Sequence, residues 1–153
     1  METTGPRTGP RRKADAIEKL EATHADVWVA TANASGHAHL VPLSFAWRDE
    51  RVMLITAPDS VTARNIVSSG AARLALGGSR DVVMIDARLD RAETIAQAPP
   101  ELMEAYAQQA DWDPRSSGGS FVLLLLRPDR VQVWREADEI EGRTVMRDGR
   151  WSF

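Results

Sequence analysis

Cysteine is absent from the 153-residue chain. That excludes disulfides, thiolate metal sites and a cysteine nucleophile, and it fits a reducing, cytoplasmic compartment. Long apolar runs are lacking too. The longest, residues 121–126, is strand-sized and far short of the ~20 residues of a membrane helix. Arginines near the N-terminus have no apolar stretch behind them, so no secretory signal is expected. Nor does one sign of charge dominate: 19 Lys+Arg stand against 22 Asp+Glu, a formal charge of −3, which argues against a general nucleic-acid binder. The sequence has no P-loop, dinucleotide-binding glycine fingerprint, nucleophile elbow or His-Glu-x-x-His zinc motif.

What is present reads as one domain of a size that buries a real core. Residues 1–12, rich in Gly, Pro, Thr and Arg, are expected as a disordered arm, with a single domain over 13–153. A helix is expected from Lys13 to Ala25. Strands follow at 27–32, 39–47 and 51–57, joined by short turns that require antiparallel pairing. Asp59 or Ser60 caps a short helix to about Ser69, and Gly70 is its stop. Two more strands, 72–76 and 82–94, flank Gly77-Gly78. Pro99-Pro100 opens a helix to about Ala110. Residues 111–120 form a loop, and 121–127 with 130–135 read as a last hairpin around Pro128-Asp129. The tail to Phe153 carries no clear pattern. Helices do not alternate with strands, so the fold class is mainly β: a six- or seven-stranded antiparallel barrel with peripheral helices.

Candidate chemistry is sparse. His37 and His39 lie two apart without a third ligand nearby, so no metal site is expected. Asp86 and Asp90 share a strand face that reads as solvated. Most informative is the run from Thr56 to Asn65. A strand ends at Thr56, a tight turn follows, and a helix opens with hydroxyls at its first positions. Free N–H groups and the helix dipole make such an end attractive to anions. Arg64 lies one turn after Ser60, and its planar fork suits phosphate. The same residues also read as a plain cap and a surface charge. In Leu40-Val41-Pro42, proline marks a strand edge or bulge, beside which exposed backbone and an apolar wall suit a flat ring; a simple core strand is the other reading.

Taken in order, these pieces resemble the FMN-binding split β-barrel family typified by pyridoxamine 5′-phosphate oxidase. The carriers are Asp26 to Ala32, His39-Leu40-Val41-Pro42, the Thr56, Ser60, Arg64-Asn65-Ile66 turn-helix, and Arg127 to Trp134. Three departures separate the chain from the oxidases. The second strand carries no Arg or Lys, and Thr62 stands where those enzymes have a phosphate-binding lysine. Arg143-Thr144-Val145 replaces their Arg-x-His substrate motif. Arg64-Asn65-Ile66 looks instead like the branch that uses the deazaflavin coenzyme F420.

The resemblance implies a homodimer with cofactor sites at the interface, and a hydride passed from reduced F420 to a small organic acceptor such as an activated C=C. By it, Thr56, Ser60, Thr62, Arg64 and Asn65 would hold the phosphate. Leu40, Val41 and Pro42 would line the ring, and Gly77 and Gly78 would allow close approach. No residue stands out as a general acid. FMN is the alternative cofactor, in a flavin reductase or flavin-binding protein. A haem-binding relative, with His24, His37 or His39 as ligand, is the non-enzymatic alternative.

Overall fold

The computed structural model describes residues 5–153. Among the described residues, nine strands form one antiparallel sheet and three α-helices pack around it. The chain runs α1 (Gly9–Glu21), β1 (Asp26–Ala32), β2 (Ala38–Ser44), β3 (Ala46–Arg48), β4 (Arg51–Thr56), α2 (Val61–Ser69), β5 (Ala71–Leu76), β6 (Val82–Thr94), α3 (Pro100–Ala110), β7 (Val122–Trp134), β8 (Thr144–Arg147) and β9 (Arg150–Trp151). Strand order is β2-β1-β5-β6-β7-β4-β3, with β8 and β9 continuing from β7. The sheet curls into a split barrel; β2 and β3 end the main path, and β9 ends the branch from β7. Among the described residues, no helix is long and apolar enough to cross a membrane.

The barrel interior is filled by alternate residues of each strand. Val27 and Val29 of β1, Leu74 of β5, Ile85 of β6 and Leu124 and Leu126 of β7 meet there with Ile66 of α2 and Leu20 of α1. A second core lies outside the wall, under α3. Met53 and Ile55 of β4 and Leu123 and Leu125 of β7 pack there on Met103 and Tyr106. The Leu123–Leu126 run is apolar at every position because each of its faces meets a different core.

The mainly β barrel with peripheral helices is as expected, and four local features differ. First, α1 begins at Gly9, and residues 5–12 are docked against the domain; residues 1–4 of the expected arm lie outside the described residues. The anchors are ionic, which an apolar pattern does not reveal. Arg7 meets Asp15 and Glu139. Arg12, only 4% exposed, donates to the carbonyls of Val133 and Glu139. Thr8 caps the helix by accepting from the Arg11 N–H. Second, the expected strand 39–47 is two strands, broken at buried Phe45. Third, Pro128-Asp129 makes no turn. β7 runs through it, paired with β6 on both sides, and the register slips between Asp86 and Ala87. Proline fits because the ladder is interrupted at this bulge. Fourth, the tail holds the β8–β9 hairpin, with Gly149 at φ +75° in its turn.

Candidate functional site

The site grows from the end of β4. Thr56 closes that strand and Ser60 caps α2, with φ −64° and ψ 153°. Ser60 Oγ accepts from the Ala63 N–H at 3.1 Å, and Thr56 Oγ1 donates to it at 3.4 Å. The N–H groups of Val61 and Thr62 have no partner among the described residues. Arg64 is exposed one turn on, and its side chain makes no ion pair or hydrogen bond among the described residues. This corner offers two free N–H groups, two hydroxyls and one uncommitted guanidinium.

The other expected phosphate residues face inward. Thr62 is 3% exposed and Asn65 is 7% exposed. Asn65 Nδ2 donates to Thr31 Oγ1 of β1 at 3.1 Å, so its side chain pins α2 to the barrel. Gly77 and Gly78 lie at the far end of β5, past Leu76, beside Lys19 and Asp81. Gly77 is required there by its φ of +78° and by the Asp81 carbonyl, which a Cβ would strike. The structure therefore does not bring these glycines to Ser60 within one chain.

β2 is an edge strand, as Pro42 demands, and pairs only with β1. Leu40 and Pro42 point outward and Val41 inward. Trp28 stands opposite Pro42, and Ala30 opposite Leu40. Leu40 and Trp28 are 60% and 49% exposed, so this sheet face is an open apolar surface.

Between β2 and the end of β4 lies a cleft of ≈ 570 Å³. Pro42 and Thr56 both line it, and Tyr106, Trp112 and Phe121 form its aromatic wall. Trp112 stands edge-on to both neighbours, with ring centroids 6.1 Å from Tyr106 and 5.3 Å from Phe121. Burial, and more weakly the Asp26 carboxylate, raises the Tyr106 phenol well above its usual range. That residue was not among the expected site residues. An aromatic on the core face of an amphipathic helix reads simply as core; only the tertiary structure sets it beside a cleft.

A larger open cleft of ≈ 790 Å³ runs along the outer face of β1, β5 and β6. Asp86 there is gripped by Arg73 and Arg130, each at 2.6 Å. Burial would raise its carboxyl, but the hydrogen bonds from these two arginines outweigh it and hold it low. Asp90 is held by Arg51 at 3.0 Å. Neither aspartate is free for acid–base work. None of the three histidines lines these two clefts, and no group of three metal-ligating side chains occurs among the described residues.

Residues 14–135 match the family model described as pyridoxamine 5′-phosphate oxidase. The chain belongs to this family. No curated protein matches it. Solved structures that share the family fold are distant in sequence. An F420 reductase superposes with a TM-score of 0.59 at 15% identity, over 74% of this chain and 94% of its own. A conserved hypothetical protein from Mycobacterium tuberculosis gives 0.64 at 14% identity, over 90% of this chain and 91% of its own. The haem storage protein HutZ from Vibrio cholerae gives 0.62 at 18% identity, over 80% and 94%. At such identities the likeness is one of fold, and cofactor choice must be argued from this chain's own residues.

The donor set at α2 fits a phosphate-bearing cofactor of the flavin or deazaflavin kind. The unpartnered N–H groups and the Arg64 guanidinium are the observation behind that fit. It suits a flavin monophosphate less well, because Thr62 supplies no charge and β2 carries no cation.

Proposed function

We infer that the protein is a reductase that uses the deazaflavin coenzyme F420 and passes a hydride to a small organic acceptor such as an activated C=C. The carrying observation is Arg64: a guanidinium without a partner among the described residues, one turn past a free helix start. The adjoining edge strand presents an apolar surface. Thr56, Ser60 and Arg64 would hold the phosphate, with the Val61 and Thr62 N–H groups. Thr62 and Asn65 keep the helix start in place from within. When bound, the coenzyme supplies the hydride; the protein supplies position and polarity.

Leu40 and Pro42 would line the ring on the outer face of β2. Main-chain groups on the unpaired edge of that strand can hydrogen-bond the ring's polar rim. A second copy of the chain would cover the Trp28 surface beside the ring, so that the cofactor would lie at a dimer interface; the enzyme would be cytoplasmic. Gly77 and Gly78 could then approach a cofactor only as residues of the second subunit.

Fluorescence titration of the purified protein with F420 and, in parallel, with FMN tests this reading. Micromolar or tighter binding of F420 alone is the expected result. Preference for FMN would make the protein a flavin reductase or flavin carrier, and binding of neither would remove the support for an enzyme.

A further inference from the structure

The cleft between Pro42 and the aromatic wall has a chemistry of its own. Tyr106 is fully buried, and its hydroxyl oxygen is solvent-inaccessible with no hydrogen-bond partner among the described residues. A buried phenol without a partner forfeits hydrogen bonding that water would have given it. Burial and Asp26 keep the group protonated, so it has a proton to donate. The cleft it adjoins is lined by one carboxylate, Asp26, and by no arginine, lysine or histidine. Its other walls are Pro42, Leu43, Ile55, Ala57, Trp112 and Phe121, flat or aliphatic, together with the neutral hydroxyls of Ser44 and Thr56. The lining holds no cation to draw a carboxylate. A planar apolar body with one neutral acceptor oxygen would satisfy it.

We propose that this cleft is the acceptor-substrate site and that it selects an uncharged, flat, conjugated carbonyl compound whose oxygen accepts from Tyr106. The ligand ring takes the place of the Trp112 indole against Tyr106 and Phe121, one aromatic edge exchanged for another, and so uncovers the hydroxyl. Tyr106 is thus a specificity-determining residue. The neutral phenol rejects carboxylate analogues because Asp26 adds like charge and no cation offsets it. Only the word "substrate" rests on the reductase reading; the binding chemistry does not.

Three probes with one ring system test it: 2-acetonaphthone, 2-ethylnaphthalene and 2-naphthoate. Each is titrated into the purified protein without cofactor and followed through the Trp112 indole N–H resonance, assigned with Trp112→Phe. The ketone is expected to bind more tightly than the carboxylate. Tyr106→Phe is expected to weaken the ketone by about five- to tenfold, the loss of one neutral hydrogen bond, and to leave the hydrocarbon within about twofold. Equal effects on ketone and hydrocarbon, or no effect on either, would overturn the proposal. So would tighter binding of the carboxylate.

Should Tyr106→Phe fail to fold, the carbonyl carbon resonance of bound, ¹³C-labelled ketone in the unaltered protein decides. A position typical of hydrogen-bonding solvent supports the assignment, and one typical of hydrocarbon solvent refutes it. F420 titrated in parallel keeps the two readings apart. Ketone selectivity without F420 binding sinks the coenzyme, while F420 binding without ketone selectivity sinks the role of Tyr106.

Discussion

Arg7 and Glu139 join the two ends of the chain. The Arg7 Nη2 lies 2.8 Å from Glu139 Oε1, and the Arg7 backbone N–H donates to Oε2 at 2.7 Å. Asp15 and Arg135 extend the pair into a network. Both side chains are almost completely shielded from water, at 8% and 4% exposure. Without Arg7, the buried Glu139 carboxylate keeps only the longer contact to Arg12 at 3.9 Å and the Arg135 backbone N–H. Arg7→Ala is therefore expected to cost about 3 kcal/mol or more, seen as a lower urea midpoint. A midpoint unchanged from wild type would show that the network contributes nothing net.

The same pair sets an acid limit. The hydrogen bond from Arg7, working against burial, lowers the Glu139 carboxyl from 4.5 to about 2. Its contribution to stability is complete above about pH 4.5 and is lost as pH falls through 2. Glu139→Gln should be less stable than wild type at pH 7, with the gap narrowing toward pH 3. Denaturant midpoints measured across that range check it; a gap independent of pH would contradict the coupling.

Arg64→Ala touches nothing that holds the fold together, because the guanidinium is exposed and unpaired among the described residues. Thermal stability should stay within a degree or two. Cofactor affinity should fall by about 1.5–3 kcal/mol, as for a hydrogen bond to a charged group. Isothermal titration with F420 separates the two effects. An unaltered dissociation constant would remove Arg64 from the phosphate site.

Trp28 and Leu40 occupy neighbouring positions on the outer face of the β1–β2 ladder, and both are about half exposed or more. Leu40→Glu should leave the monomer folded while weakening the dimer, because the charge would be buried only on association. Light scattering across a concentration series reads this directly. Wild type should have twice the mass of the variant at micromolar concentration, and identical masses would refute the assignment of this face.

Gly77→Ala should destabilise by about 2 kcal/mol, since φ of +78° and the nearby Asp81 carbonyl both oppose a Cβ. Gly78→Ala, with open space around it, is the matched control. Equal melting temperatures for the two variants would argue against a strained turn.

Much of this molecule is legible in its sequence because local rules and tertiary structure agree there. The α2 segment is the clearest case: Ser60 caps it and Gly70 ends it at φ +73°, where turn chemistry places both. Pro42 gives away its edge strand for a similar reason. Elsewhere the deciding contacts lie far along the chain. Nothing near Arg7 indicates that Glu139 waits 132 residues on, so a polar N-terminal segment reads as unfolded. Pro128-Asp129 has the composition of a turn, and only the uninterrupted partner strand β6 turns it into a bulge. The inward aim of Thr62 and Asn65 follows from the rotation of α2 over β1, and motif spacing alone does not resolve it.

The leucine run of β7 has a consequence for how the protein is made. β7 pairs with both β6 and β4 and contributes to both cores. Until it leaves the ribosome, β4 and β6 lack the partner between them, and neither apolar layer can close. The strands made before β7 are left with open edges, and the domain can consolidate only when about its last fifth arrives. Synthesis that stalls before Val122 should leave a chain for chaperones to shield, however stable the finished barrel is.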